Sequence, residues 1–149
     1  VTKPATYQRV GEQVRRHIVA LKQQLAALRQ RHGQVWGLGA SARGVVTLNA
    51  AQFGPDQIEA VIDDTPLKQG RLVPGVHLPV VDWSALRQSS PPTGYLLLAW
   101  NYEQEVLAKL RRYVTAAEIL IPFPALHLTM LTQESDVSAR SRTTNIRQR

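Results

Sequence analysis

The sequence has no cysteine and a single methionine among its 149 residues. Without cysteine the chain can form neither disulfides nor a thiolate metal site. No apolar run approaches the roughly 20 residues that a membrane-spanning helix needs, and the N-terminus lacks the apolar core of a signal peptide. We therefore expect a cytoplasmic protein with no membrane partner, in one domain that buries about two thirds of its unfolded surface.

The excess of basic over acidic residues lies at the two ends of the chain. The net charge is +7, yet residues 33–131 hold seven basic and eight acidic side chains. Residues 1–32 hold seven basic side chains and one acidic, and residues 132–149 hold four and two. A basic groove with interleaved aromatic residues is not visible, so nucleic acid is not the expected partner. The same division predicts a leading helix (1–32), an α/β domain (33–131) and a polar, disordered tail without function (132–149).

The leading segment is amphipathic. Apolar residues recur at spacings of three and four, at Tyr7, Val10, Val14, Ile18, Leu21, Leu25 and Leu28. This period predicts a helix of about 25 residues that ends at His32 and Gly33. Packing of the stripe in the core is the favoured interpretation, and a dimer seam or docking on a neighbouring domain are the alternatives.

The rest of the chain alternates short apolar runs with amphipathic segments. We predict strands at Val35, 58–62, 78–81, 95–100 and 118–121, and helices at 42–53, 83–88 and 103–113. This alternation predicts a Rossmann-like three-layer α/β/α fold with a parallel sheet of about five strands. With strand order 3-2-1-4-5, the chain reverses direction between the first and fourth strands. Ligands of such sheets bind there, beyond the carboxyl ends of the strands.

A glycine-rich turn follows the first strand, within residues 34–44. Gly37, Gly39 and Ala42 have the spacing of dinucleotide-binding turns, in which helix amides meet a diphosphate. Asp63 lies 24 positions beyond Gly39, near the distance at which a ribose-binding acid usually occurs. Glycine also occurs where a strand-to-helix turn must simply pack closely, so both interpretations of Gly37 and Gly39 stay open.

Several runs make the chain resemble the C-terminal domain of sugar C-methyltransferases. The most specific are Asp-x-x-Pro-x-Lys-x-Gly at 63–70 and Trp-Asn-x-x-x-Glu at 100–105, together with Gly39 to Gly44 and Val73 to Gly75. The resemblance covers roughly residues 5–125. It implies a Rossmann-like domain that helps to hold a nucleotide-linked deoxysugar.

The same resemblance implies that this chain is one part of an enzyme. In that family the S-adenosylmethionine site, the catalytic acid/base residues and a zinc module belong to preceding domains. The resemblance thus implies upstream methyltransferase domains as partners, no cofactor bound by this domain, no catalytic residue within it, and no activity of the isolated chain.

A second resemblance involves Ile62 to Pro66, Lys68, Gly70 and Gly75 to Val80. These residues are similar to the small nucleotide-binding domains of nucleotide-sugar dehydratases and sugar acyltransferases. Both resemblances imply a nucleotide sugar. The Trp100-Asn101 pair and the long leading helix favour the methyltransferase.

We predict a substrate-binding set at the carboxyl edge of the sheet, formed by Gly37, Gly39, Ala40, Ser41, Arg43, Gly44, Asp63, Lys68, Asn101 and Glu105. In this hypothesis the amides of Ala40 to Arg43 and the Arg43 guanidinium receive the diphosphate, with Lys68 adding charge. Asp63 or Asp64 accepts hydrogen bonds from hydroxyls, and Asn101 and Glu105 add polar contacts. The alternatives are that Arg43 pairs with Glu105 or Asp63, that Lys68 braces its loop, and that Asp64 is merely exposed. Trp36 and Trp100 are expected in packing first and stacking second.

Other chemistries lack support in the sequence. The four histidines, at 17, 32, 77 and 127, have no metal-binding spacing. Ser41 is not in a Gly-x-Ser-x-Gly elbow, and no Gly-Lys-Ser/Thr phosphate loop occurs. Three classes remain: a nucleotide-sugar-binding domain of a methyltransferase, a nicotinamide-binding module, and an interaction domain without a ligand.

Overall fold

The computed structural model describes residues 3–133 and shows a mixed α/β domain with a long N-terminal helix. Its helices are α1 (Lys3–His32), α2 (Ala42–Ala51) and α3 (Glu103–Leu110), with 3₁₀ turns at Trp83–Leu86 and Trp100–Tyr102. Its strands are β1 (Val35–Leu38), β2 (Val61–Ile62), β3 (Val80–Val81), β4 (Gly94–Leu97), β5 (Ala116–Ile121) and β6 (His127–Thr132). In these residues no helix is long and apolar enough to cross a bilayer.

The strands form one sheet in the order β3-β2-β1-β4-β5-β6. The first five are parallel, in the predicted order, and β1 lies between β2 and β4. The predicted count of about five omits β6, which pairs antiparallel with β5. β6 is an edge strand of six residues, of which only Leu131 is buried. Because it has no continuous apolar run, the sequence pattern did not reveal it.

Alternate strand residues enter two apolar clusters, as the period of two requires. Leu96 and Leu120 belong to the cluster that contains residues of α1 and α2. Tyr95 and Ile119 belong to the cluster that contains Leu110 of α3 and residues of the first 3₁₀ turn. Each of these side chains is fully buried, so the sheet has a packed core on both faces.

The stripe of α1 is divided between core and solvent. Leu21, Leu25 and Leu28 are buried, which confirms core packing for the C-terminal half of the helix. Tyr7 and Val10 are 74% and 52% exposed. At 30 residues α1 is longer than predicted and spans about 45 Å. The N-terminal half therefore extends beyond the part of α1 that packs in the core.

The two predicted boundaries, at the end of the leading helix and at the start of the tail, can be compared with the structure. α1 ends at His32, where the leading helix was predicted to end, and Gly33 follows in a left-handed conformation, with φ +76°. The predicted tail begins at Thr132, which is the last residue of β6. The remainder of that tail, from residue 134, lies outside the described residues, and the division into domains stays a prediction.

Candidate functional site

Three connecting segments meet at the carboxyl edge of the sheet, around a crevice of about 430 Å³. Gly39 follows β1, Asp63 and Asp64 follow β2, and Glu105 comes from the start of α3 after β4. All four line this crevice, which we call the edge crevice. The structure thus brings together residues that are up to 66 positions apart in the sequence. This is the arrangement that the parallel strand order predicts.

The glycines of the β1–α2 turn are explained by close packing on the end of β4. Gly39 has φ +86°, and a Cβ built on it would lie 2.4 Å from the Cβ of Ala99. A Cβ on Gly44 would lie 2.6 Å from that of Leu98, and one on Gly37 would lie 2.9 Å from Leu98 Cδ1. A larger residue at Gly39 or Gly44 requires movement of the residues that follow β4, whereas one at Gly37 requires the end of the Leu98 side chain to shift. The packing interpretation left open by the spacing therefore accounts for these glycines.

Ser41 is the N-cap of α2. Its hydroxyl oxygen accepts a hydrogen bond from the Gly44 amide at 3.0 Å and donates one to the Leu98 carbonyl at 2.9 Å. The first bond satisfies an amide that has no partner within the helix, and the second ties the helix to β4. The Ser41 side chain thus positions the start of α2.

Asp63 is buried and accepts two backbone hydrogen bonds. Its Oδ2 accepts from the Ala40 amide at 2.7 Å, and its Oδ1 accepts from the Thr65 amide at 2.8 Å. Burial acts to raise the pKa of Asp63, but hydrogen bonds from Thr65 and Ala40 and the charge of Lys68 hold that pKa below its ordinary value. An ionised Asp63 therefore links the segment after β2 to the turn after β1.

Lys68 reinforces this link. Its Nζ donates to the Ala40 carbonyl at 2.8 Å and lies 3.9 Å from Asp63 Oδ2. Lys68 thus braces its loop against the β1–α2 turn, as the structural alternative proposed. The Ala40 amide, one of the predicted diphosphate donors, is already used by Asp63. The ligand contacts predicted for Asp63 and Lys68 stay predictions, and their bracing contacts are observed.

The lining of the edge crevice also combines acidic groups with an aromatic side chain. Asp64 is largely exposed and pairs with Lys109, whose Nζ lies 5.2 Å from the centroid of the Trp83 ring. Glu105, one turn before Lys109 on α3, is exposed and has no salt bridge within residues 3–133. Lys109 and Trp83 were not among the predicted site residues. The i, i+4 spacing of Glu105 and Lys109 and the position of Trp83 two residues after β3 were the available signals.

Arg43 and Asn101 line a smaller cavity of about 180 Å³ next to the edge crevice. Tyr102 lines both, so the two spaces adjoin. Neither Asp63 nor Glu105 pairs with Arg43 in the described part of the chain, which removes that alternative. The guanidinium of Arg43 is therefore not occupied by either predicted acid.

Trp100 and Trp36 pack against the second apolar cluster, as predicted. Trp100 also contacts Phe123, with ring centroids 4.8 Å apart, and Phe123 stacks on His17 of α1 at 4.4 Å. These contacts place α1 beside the ends of β4 and β5. Sequence spacing gave no sign of the contact between His17 and Phe123, which are more than 100 positions apart.

A further cavity, of about 710 Å³, lies away from the carboxyl edge. It is a groove between the C-terminal half of α1 and the segment that follows α2, lined by Lys22, Leu25, Arg29, Phe53 and Gln57 among others. Arg29 is bound there to the Gln57 carbonyl and to Glu59. We call it the α1–α2 groove. No sequence-predicted site residue lines it, nor do the described residues contain a group of His, Asp and Glu that could hold a metal ion.

Fold and site together define an α/β domain whose polar and glycine-rich segments converge at one edge of a mostly parallel sheet. The sequence model of the C-methyltransferase C-terminal domain matches residues 1–124, so this chain belongs to that family. C-methyltransferase NovU of Streptomyces niveus is 35% identical over 92 residues, which are 60% of this chain and 21% of that protein. The match thus spans about a fifth of the relative's length. The first resemblance is confirmed, and the dehydratase and acyltransferase alternative is not favoured.

Proposed function

We propose that this chain is the nucleotide-sugar-binding domain of an S-adenosylmethionine-dependent sugar C-methyltransferase. Such an enzyme forms a carbon–carbon bond between the transferred methyl group and a sugar carbon, and breaks the methyl–sulfur bond of the cofactor. The family membership supports the methyltransferase part of the proposal. S-adenosylmethionine and the catalytic residues are assigned to other domains of the parent protein, and no residue described here is assigned to them.

The observation that carries the proposal is the convergence of three connecting segments at the edge crevice. In a Rossmann-like fold, which the strand order supports, this edge binds nucleotides. Glu105 and Asp64 offer acceptors for sugar hydroxyls, and Trp83 and Tyr102 offer apolar faces. Arg43, in the adjoining cavity, is the cation proposed to reach the diphosphate, because a guanidinium fork matches phosphate oxygens.

The hydrogen bonds that join Asp63, Ala40 and Lys68 fix the shape of this edge of the sheet. Both Asp63 oxygens and the Lys68 ammonium bind neighbouring backbone groups, so the turn after β1 and the segment after β2 are held together without a ligand contact. A preformed site avoids the entropy cost of ordering loops on binding. The proposed site residues thus form two groups: those that bind the backbone of the protein itself and those that are available to contact a ligand.

The proposal is tested by calorimetric titration of thymidine diphosphate glucose into the full chain and its Arg43→Ala variant. Loss of a charge-assisted contact should weaken binding about tenfold or more. Arg112→Ala is the matched control, because Arg112 is an exposed arginine just after α3 and lines none of these cavities.

Three results would count against the proposal in different ways. Equal affinity in the Arg43→Ala variant would remove Arg43 from the site. Failure of the folded chain to bind either thymidine or uridine diphosphate sugars would overturn the function. Tighter binding of NADH than of any nucleotide sugar would identify a nicotinamide module instead.

A further inference from the structure

Another cavity at the carboxyl edge, of about 680 Å³, lies between the start of α2 and residues 67–74 of the segment that joins β2 to β3. We call it the loop cavity. Its walls include the aliphatic side chains of Val45, Leu67, Leu72 and Pro74, and its charged residues are Lys68 and Arg71. Leu67 and Leu72 are 78% and 56% exposed. Both leucines line the same cavity as Lys68 and Arg71, so apolar side chains and cations face one space.

The loop that forms this cavity is held on two sides. The Val80 amide donates to the Arg71 carbonyl at 2.8 Å, and the Val73 amide donates to the Leu78 carbonyl at 2.7 Å, so the loop folds back along β3. From α2, Asn49 Nδ2 donates to the Pro74 carbonyl at 3.0 Å. These bonds hold the residues that line the cavity in place. Its volume lies in the range of small-molecule sites.

The edge crevice and the loop cavity differ in the charge of the residues that line them. The edge crevice is lined by Asp63, Asp64 and Glu105 against a single Lys109. No carboxylate lines the loop cavity, and Arg71 forms no salt bridge anywhere in residues 3–133. An anion is therefore repelled by the first cavity and attracted by the second. The two meet at the β1–α2 turn, since Gly39 lines the crevice and Ala40 lines the loop cavity.

We infer that the loop cavity binds the nucleoside end of the nucleotide sugar, an inference that rests on the proposed function. The base packs against Leu67, Leu72 and Pro74, and Arg71 contacts the diphosphate from the loop side while Arg43 contacts it from the β4 side. The uncharged, hydroxyl-rich sugar then reaches the acidic edge crevice. This assignment matches each part of the ligand to the cavity of suitable polarity.

The inference predicts that a nucleoside diphosphate binds without its sugar. In calorimetric titrations of thymidine diphosphate into the full chain, Arg71→Ala should weaken binding about tenfold. Leu67→Ala should weaken it about fivefold through lost apolar contact. Leu67→Ala should leave the binding of inorganic pyrophosphate unchanged, because pyrophosphate has no base.

Matched controls are available on the same domain. Val46→Ala removes an exposed aliphatic side chain of α2 that does not line the cavity, and Arg112→Ala removes an exposed cation remote from it. Both should bind thymidine diphosphate as the unaltered chain does. We expect every variant to keep the fold, because Arg71 and Leu67 are exposed. Thermal unfolding followed by circular dichroism checks this for each variant.

The outcomes separate this inference from the proposed function. If thymidine diphosphate binds equally to the unaltered chain, Arg71→Ala and Leu67→Ala, the assignment of the loop cavity is wrong although the domain still binds nucleotides. The same holds if thymidine diphosphate glucose binds and thymidine diphosphate alone does not. If the folded chain binds neither, both the inference and the proposed function fail.

Discussion

Replacement of Gly39 by alanine should destabilise the fold strongly, because this residue is restricted twice. Its φ of +86° is a conformation that costs an L-residue about 1–2 kcal/mol. The new Cβ would also lie 2.4 Å from the Cβ of Ala99, and overpacking of this kind costs about 1–3 kcal/mol. The expected loss in the free energy of unfolding is therefore about 2–5 kcal/mol, a large fraction of a typical domain stability.

Gly70 provides the matched control. It has a similar φ of +78°, but a Cβ built there has no heavy atom within 4 Å. Gly70→Ala should thus show the backbone cost alone, about 1–2 kcal/mol. A second control removes the obstructing group, since Ala99→Gly in the Gly39→Ala background should restore the steric part of the loss.

The assay is equilibrium urea unfolding followed by tryptophan fluorescence, with the coupling of Gly39 and Ala99 taken from a double-mutant cycle. We expect a favourable coupling energy of about 1–3 kcal/mol between the two substitutions. The reasoning is refuted if Gly39→Ala is no less stable than Gly70→Ala, or if the Ala99→Gly substitution restores nothing. Either result would mean that the turn does not need glycine for packing on β4.

Two further predictions concern the groups that hold the edge and the leading helix. Asp63→Asn should cost about 1–3 kcal/mol at pH 7, because an amide cannot accept at both positions. Since the pKa of Asp63 is lowered by folding, its stabilisation is complete above about pH 4 and disappears as the pH falls through the folded-state pKa. Urea midpoints of the variant and the unaltered chain should therefore converge on acidification, and a constant difference down to pH 2 would contradict this. Leu25→Ala, at a buried position of α1, should cost about 2–5 kcal/mol. Val10→Ala, at an exposed position of the same helix, should change the unfolding free energy by less than about 0.5 kcal/mol, and equal losses for the two would show that both halves of α1 are packed alike.

The parallel part of the sheet was predictable because parallel strands that are buried on both faces have continuous apolar sequences. The run from Tyr95 to Leu98 is buried throughout, and it predicted β4, although the predicted strand continued to Trp100, which the structure has in a 3₁₀ turn. β6 was not predictable on that basis. Met130 in β6 is 62% exposed, and a strand that pairs on one side and buries one residue lacks both an apolar run and a clear alternation.

The convergence of the three segments at the carboxyl edge was predictable, whereas the contacts that their residues make within the protein were not. Strand order alone places Asp63 next to the β1–α2 turn. The number of positions between Gly39 and Asp63 does not reveal that both carboxylate oxygens accept backbone amides of the protein itself. Nor does spacing reveal that the Cβ of Ala99 requires the glycine at position 39. Such contacts depend on atomic positions that are correct to a few tenths of an ångström, and only the packed structure defines these positions.

We propose above that a nucleotide sugar binds at the carboxyl edge of the sheet. The most direct test is to follow backbone amide chemical shifts of the full chain by NMR during titration with thymidine diphosphate glucose. We predict that the largest changes occur in the segments 39–44, 63–71 and 101–105. Changes confined to residues of the α1–α2 groove, such as Gln30, Gln52 and Gln57, would contradict the claim and move the binding site to the other cavity.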